Sequence, residues 1–246
     1  MQIIPAFVTQ NKCYQAGAPL TPRGIMLHSV GTPQPSAAVF ARSFNQYQPG
    51  GVSVCVHAFA QADGTVYQTL PWEMRGWHCG GSANSTHIGV EMTEPSAGMT
   101  RSEAAEQIAG TYRTVVELFA ELCKQYELDP AQDGVIIGHA EGHRRGVASN
   151  HADPELLWRT YDMGYTMDGF RRDVAEAIKN GAREEALDMP RYDSVAEMPQ
   201  WARADAQRLI DRGVLSGVGN GKLDLSLDMI RTMIVCQRML DEQKET

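Results

Sequence analysis

The sequence predicts a mixed α/β fold, a central mixed β-sheet flanked by helices, followed by a small helical C-terminal unit. Over the first 180 residues, short apolar runs of strand length alternate with longer segments of helical periodicity. Several of those runs end on a polar residue, as buried strands do where their carboxyl ends reach the sheet edge. Beyond residue 181, charge and proline replace the apolar periodicity before a second helical pattern begins.

GIMLHSVG (24–31) is an apolar run closed by glycine, VSVCVHAFA (52–60) reads as a second strand, and DGT (63–65) is a hairpin turn into VYQTL (66–70). HIGVEM (87–92) and GVIIGH (134–139) are two further strands. Between them, residues 102–126 carry apolar positions at helical spacing, interrupted only by Gly110, and predict a long amphipathic helix. A helix over 167–181, stopped by glycine, closes a domain spanning 1–181. Residues 182–194 read as a linker and 195–246 as a separate unit: helix then turn over 199–217, a glycine-rich loop over 217–226 and a helix over 227–240. No internal repeat of fixed period is visible.

A chain of 246 residues, 43% hydrophobic and 21% charged, is long enough for one large core and a small appendage. Its formal charge of −8, without a Lys/Arg-rich run, argues against nucleic acid as a partner, because phosphates demand a basic surface. The N-terminal MQIIPAFVTQNKCYQAG has neither a basic first segment nor a sustained apolar stretch, so the expectation is synthesis in the cytoplasm without a signal peptide and without membrane insertion. Five cysteines, an odd number without CxxC pairs, predict reduced thiols. Cys123 and Cys236 fit packing positions, and Cys79 in GWHCGG is a candidate pocket residue.

The chemistry lies in the histidines. His28 and His139 each follow an apolar strand, so adjacent strands would bring both imidazoles to one end of the sheet. Catalytic zinc takes three protein ligands and leaves a fourth position to water. The segment HADPELLW (151–158) offers His151 and Asp153 as candidates for the third. Glu91 ends the strand HIGVE, where a buried carboxylate without a partner is costly, and a functional role is therefore expected; Glu94 is expected to face solvent. His57 is read as a supporting residue inside a strand, His87 as structural, and His143 as exposed or beside the site.

The ordered set LHSVG, VHAFAQADGTVYQTLP, GWHCGGSANSTHIGVEM and GHAEGHRRGVASNHADPELLW, spanning roughly 20–160, resembles the amidase-2 family of N-acetylmuramoyl-L-alanine amidases. Phage endolysins, bacterial muropeptide amidases and animal peptidoglycan recognition proteins belong to that family. The resemblance implies Zn2+ held by His28, His139 and Asp153, with Glu91 as the base beside the reacting water. It places His151 at a cation position usually held by Lys, and His78 and Asn84 in the substrate groove. The loop GWHCGGSANSTH (76–87) is suited to hydrogen-bonding a peptide and stacking on sugar, with Trp77 either a substrate contact or the loop's hydrophobic anchor. Two departures from the family pattern are a longer stretch between His139 and Asp153 and Glu155 where glycine is common after Asp-Pro.

The implied activity is hydrolysis of the amide between N-acetylmuramic acid and L-alanine in peptidoglycan, by a phage or prophage endolysin that reaches the wall after holin-type release. Alternatives are a cytoplasmic amidase recycling anhydro-muropeptides and a non-catalytic peptidoglycan-binding module, whose family representatives typically lack the third ligand. The C-terminal unit resembles a single S-layer-homology repeat, which implies wall targeting or self-association; a small helical cap is the alternative.

Overall fold

The computed structural model describes residues 1–46, 54–188 and 191–242, and the chain divides into two compact units, Met1–Asn180 and Gly181–Thr246. In the first, strands β1 (Gln2–Pro5), β2 (Gly24–Ser29), β3 (Ala58–Ala60), β4 (Thr65–Gln68), β5 (His87–Met92) and β6 (Ile136–Gly138) form one sheet. Their order is β1-β4-β3-β5-β2-β6. Only the β3–β4 hairpin is antiparallel; the other neighbours run parallel. Around the sheet lie α1 (Lys12–Ala16), α2 (Ala37–Phe44), α3 (Arg101–Gln125), α4 (His139–Arg144), α5 (Glu155–Thr160) and α6 (Met167–Asp188).

The parallel register of β5, β2 and β6 places their carboxyl ends together. Side chains alternate between faces along a strand. Ile25, Leu27, Ile88, Val90 and Met92 therefore share one face, buried in the main core with Val115, Leu118 and Phe119 of α3 and Phe170 and Val174 of α6. Met26, His28, Gly89 and Glu91 take the other face, where register pairs Met26 with Gly89 and His28 with Glu91. Leu27 pairs with Gly138, so His139, the next residue, emerges beside His28.

Helix α3 begins at a capping box in which Thr100 and Glu103 exchange side-chain and backbone hydrogen bonds. Gly110 lets the helix approach the hairpin: a Cβ there would lie 2.7 Å from Ala62 O. Thr114 Oγ1 fastens the contact by donating to Gln61 O at 2.8 Å.

Sequence and structure differ in several places, among them the edge strand Gln2–Pro5, which the sequence pattern does not announce. The strand expected over 52–60 shortens to Ala58–Ala60; residues 52–53 lie outside the described residues, and Cys55 instead makes an isolated bridge to Trp77. His57 consequently precedes the strand rather than sitting inside it. Helix α6 runs on to Asp188 through the first half of the stretch expected as a linker, because AREEALD contains good helix formers and a single glycine costs only about 1 kcal/mol. Residues 189–190 of that stretch lie outside the described residues.

The second unit holds β7 (Arg191–Tyr192) antiparallel to β8 (Leu225–Ser226), with α7 (Gln200–Asp211) and α8 (Leu227–Glu242). It has a core of its own that includes Met198, Ala202, Ala206, Leu225, Ile230 and Ile234. Among the described residues no helix is long and apolar enough to cross a membrane.

Candidate metal centre

At the carboxyl edge of the sheet, His28 from β2, His139 at the start of α4 and Asp153 from the following loop converge. His28 Nδ1 lies 3.0 Å from His139 Nδ1 and 3.2 Å from Asp153 Oδ2. His139 Nδ1 is 3.5 Å from Asp153 Oδ1. Both rings are buried, at 1% and 4% exposure. The Asp153 loop is anchored at both ends of its residue: the backbone N–H of Ala140 donates to Asp153 O at 3.2 Å, and Ser29 N–H donates to Oδ2 at 3.4 Å.

The surrounding hydrogen bonds fix where each ring carries its proton. His78 Nε2 faces His87 O at 3.1 Å, and a carbonyl only accepts, so His78 carries its proton on Nε2. His78 Nδ1 is then an acceptor, and the neighbour at 2.9 Å, His28 Nε2, must donate to it. His28 Nδ1 is left with a lone pair. Likewise Ser149 Oγ donates to Cys79 O at 3.0 Å and so accepts from His139 Nε2 at 3.2 Å, which leaves His139 Nδ1 with a lone pair as well. Burial keeps His28 below its ordinary imidazole range, partly opposed by the Asp153 carboxylate, and pushes His78 well below it. Neutral rings are the form this assignment requires.

Two imidazole lone pairs and a carboxylate therefore point at one spot with no proton between them, a repulsive arrangement unless a cation sits among them. The three ligand atoms lie within 4.8 Å of one another. Two neutral imidazoles and one carboxylate are a donor set that zinc takes in sites with an open fourth position.

Behind this group His57 is fully buried, its Nε2 donating to Met74 O at 2.7 Å and its Nδ1 accepting from Gly89 N–H at 3.0 Å. Burial lowers its pKa to about 4. The His78 ring lies directly over Gly89, where a Cβ would come within 2.4 Å of His78 Cγ. That close approach explains a glycine in mid-strand. His87 ties the start of β5 to the loop before β6, Nε2 donating to Gly134 O at 2.9 Å.

The group opens into a cleft of about 1120 Å³. Glu91 lines it beside His28, and its buried Oε2 has no hydrogen-bond partner among the described residues. Burial, with the Asp153 and Glu94 charges added, raises the Glu91 carboxyl well above its ordinary value. His151 stands exposed on the rim, stacked on the His139 ring at 4.6 Å. Leu156 and Tyr161, from α5 and the residue after it, line the cleft too.

The structure places the remaining sequence candidates as follows. His78 lines the cleft, and both its ring nitrogens are engaged, by His28 and by His87 O. Asn84 also lines the cleft, and its Oδ1 accepts from His78 N–H, Cys79 N–H and Cys79 Sγ, which fastens the loop. Trp77 lines the cleft but also packs on a cluster containing Cys13, Cys55 and Leu70. Glu94, expected in solvent, lines the cleft and accepts from Gly31 N–H at 2.9 Å. Cys79 is buried at the cleft wall, and His143 is exposed. Ser149 and Arg75 were not singled out by the sequence; nothing in ASNH or EMRG distinguishes them from loop residues until the chain is folded.

The family model described as N-acetylmuramoyl-L-alanine amidase matches residues 18–156. No curated protein matches the chain in sequence. Among solved structures, the hydrolase AmiA of Staphylococcus aureus in complex with its ligand is similar with a TM-score of 0.58 at 19% identity, over 75% of this chain and 86% of that one. A mutant endolysin from Bacillus subtilis aligns with a TM-score of 0.52 at 21% identity, over 71% and 99%. PlyL aligns with a TM-score of 0.54 at 18% identity, over 71% and 97%. At such identities these likenesses establish the mixed α/β fold.

Proposed function

The chain belongs to the N-acetylmuramoyl-L-alanine amidase family, and we propose that it is a zinc-dependent hydrolase of the amide between N-acetylmuramic acid and L-alanine in peptidoglycan. The observation that carries this reading is the convergence of three proton-free donors, His28 Nδ1, His139 Nδ1 and the Asp153 carboxylate, beside an unpartnered buried Glu91 oxygen. His28, His139 and Asp153 would hold zinc, and zinc bound there would supply Lewis acidity for the scissile carbonyl and for the attacking water. Glu91 Oε2 takes the proton of the attacking water, for which its raised pKa suits it, and passes that proton to the departing alanine nitrogen. His151, on the cleft rim, offers a ring N–H to the oxyanion. Trp77 lies against the substrate on the loop side of the cleft, and Leu156 and Tyr161 shield the reacting amide from bulk water.

The proposal extends to biology in one respect. Endolysins stand among the structural neighbours, which supports a lytic role at the bacterial wall, with release from the cell through a separate pore. The unit Gly181–Thr246 then serves to hold the enzyme on the wall or to pair two copies; a compact fold with its own core supports an independent task.

Incubation with purified sacculi, with and without a chelator, tests the activity. Newly exposed N-terminal alanine, abolished by the chelator and restored by zinc, is the expected result. New reducing sugar ends would mean a glycosidase instead, and cleavage of soluble muropeptides but not sacculi would mean a recycling enzyme.

A further inference from the structure

We propose that Arg75 is a specificity residue that recognises a free carboxylate on the peptide side of the substrate, an inference that rests on the amidase reading above. Arg75 lines the same cleft as His28, Glu91 and Asp153. Among the described residues its buried Nε has no hydrogen-bond partner, and no carboxylate pairs with its guanidinium. Two other arginines of this unit by contrast meet acids, Arg145 with Asp133 and Arg171 with Glu141. Residues 47–53, which precede the cleft residue Val54, are YQPGGVS and contain no acid.

The residue is also held in place. Its backbone N–H donates to Ala18 O at 2.8 Å, its carbonyl accepts from Cys13 Sγ at 3.3 Å, and two residues on Trp77 is bridged to Cys55. A guanidinium fixed at its base, partly desolvated and unpaired, is prepared for a planar anion, since a fork of N–H groups matches a carboxylate with two parallel bonds. The other charged side chains lining the cleft, Glu91, Glu94 and Asp153, are acids. Away from the proposed zinc, the Arg75 wall is therefore where an anionic substrate group gains attraction, and the Glu94 side disfavours it. The muramoyl–alanine amide is itself uncharged, whereas a glutamyl residue of the peptide presents a carboxylate a short distance along the chain. Amidation of that group keeps its shape and removes its charge, so the cleft discriminates between the two forms.

The test uses zinc-loaded, full-length protein carrying Glu91→Gln, so that binding is read without turnover. Two probes are compared by calorimetry: N-acetylmuramoyl-L-alanyl-γ-D-glutamyl-L-lysinamide, whose glutamyl α-carboxylate is its only acid, and the same compound with that group amidated. The carboxylate form is expected to bind about tenfold tighter or more, as a charge-assisted pair in a partly desolvated site does. Adding Arg75→Gln should abolish that preference while leaving the amidated probe bound as before, and Arg75→Lys should keep part of it. If the Gln variant does not fold, the preference of the unaltered Arg75 protein must shrink with added salt. Equal binding of both probes, no binding of either, or a preference that survives Arg75→Gln overturns the proposal. The sacculus assay is read separately: cleavage without carboxylate preference defeats this inference alone, and carboxylate preference without cleavage defeats the amidase reading alone.

Discussion

Replacing His78 by phenylalanine would test whether the chain itself dictates which nitrogen of His28 faces the proposed metal site. The substitution keeps a planar ring over Gly89 and removes both ring nitrogens. His28 Nε2–H loses the acceptor now 2.9 Å away, and His87 O loses its donor at 3.1 Å. If His28 keeps its tautomer, a buried donor is left unpaired at a cost of about 1–3 kcal/mol. If it moves the proton to Nδ1, the lone pair aimed at the metal disappears. By either route zinc affinity should fall about 10–100-fold, the usual range for losing a partner behind a metal-binding histidine. Competition against a chromophoric zinc chelator near neutral pH measures this, with thermal melting of the metal-free protein as the folding control. His78→Gln, which supplies an oxygen to accept and an N–H to donate, should recover part of the loss. A folded His78→Phe protein that binds zinc as tightly as the unsubstituted chain would refute the proton assignment.

Glu91→Gln should retain zinc and lose turnover by a factor of about 100 or more, since it removes the proton carrier and leaves the ligands; substantial residual cleavage of sacculi would remove Glu91 from the mechanism. The same residue predicts a pH effect in the metal-free protein. Its folded pKa is raised, so its contribution is full below the ordinary carboxylate value and is lost as pH rises through the raised one; Glu91→Gln should flatten that decline in denaturant titrations. His57 works in the opposite direction. Its folded pKa is lowered from 6.5 to about 4, so stability it contributes above pH 6.5 is lost as pH falls toward 4, by about 3 kcal/mol. His57→Gln should lack that acid-side slope, and identical slopes would contradict it. Deleting residues 190–246 should reduce sedimentation with whole cell walls while leaving cleavage of soluble fragments; unchanged wall binding would reduce the second unit to a structural cap.

The legible parts of the site were those that strand pattern alone can place. IMLH and VIIGH each end an apolar run in histidine, and parallel pairing of β2 with β6 turns those two sequence endings into one spatial location. Glu91 followed from the same logic, since HIGVE delivers its carboxylate at a strand end. What stayed hidden depended on contacts between loops. Ser149 and Cys79 lie 70 residues apart yet share a hydrogen bond, and the contact of His78 with His28 depends on Gly89 making room for its ring. The first strand was missed for a related reason: QIIP is short, lacks alternation, and becomes an edge strand only because β4 pairs with it. The linker reading over 182–194 failed locally because high charge is compatible with an exposed helix as well as with a connection, and helix α6 continues to Asp188.

The backbone's share in the chemistry follows from one asymmetry: a carbonyl can accept a proton but never supply one. His87 O and Cys79 O each sit at the far end of a short hydrogen-bond chain that terminates on a candidate ligand. The first chain passes through His78 to His28 and the second through Ser149 to His139. Because both begin on an atom with no proton to give, the direction of every bond between is determined, and both Nδ1 lone pairs face Asp153. A water molecule in place of either carbonyl would allow the chain to reverse and the ligand to turn its proton inward. The fold thus keeps the two imidazoles in the metal-binding form wherever they are neutral, and burial extends that range by holding His28 and His78 below ordinary histidine values.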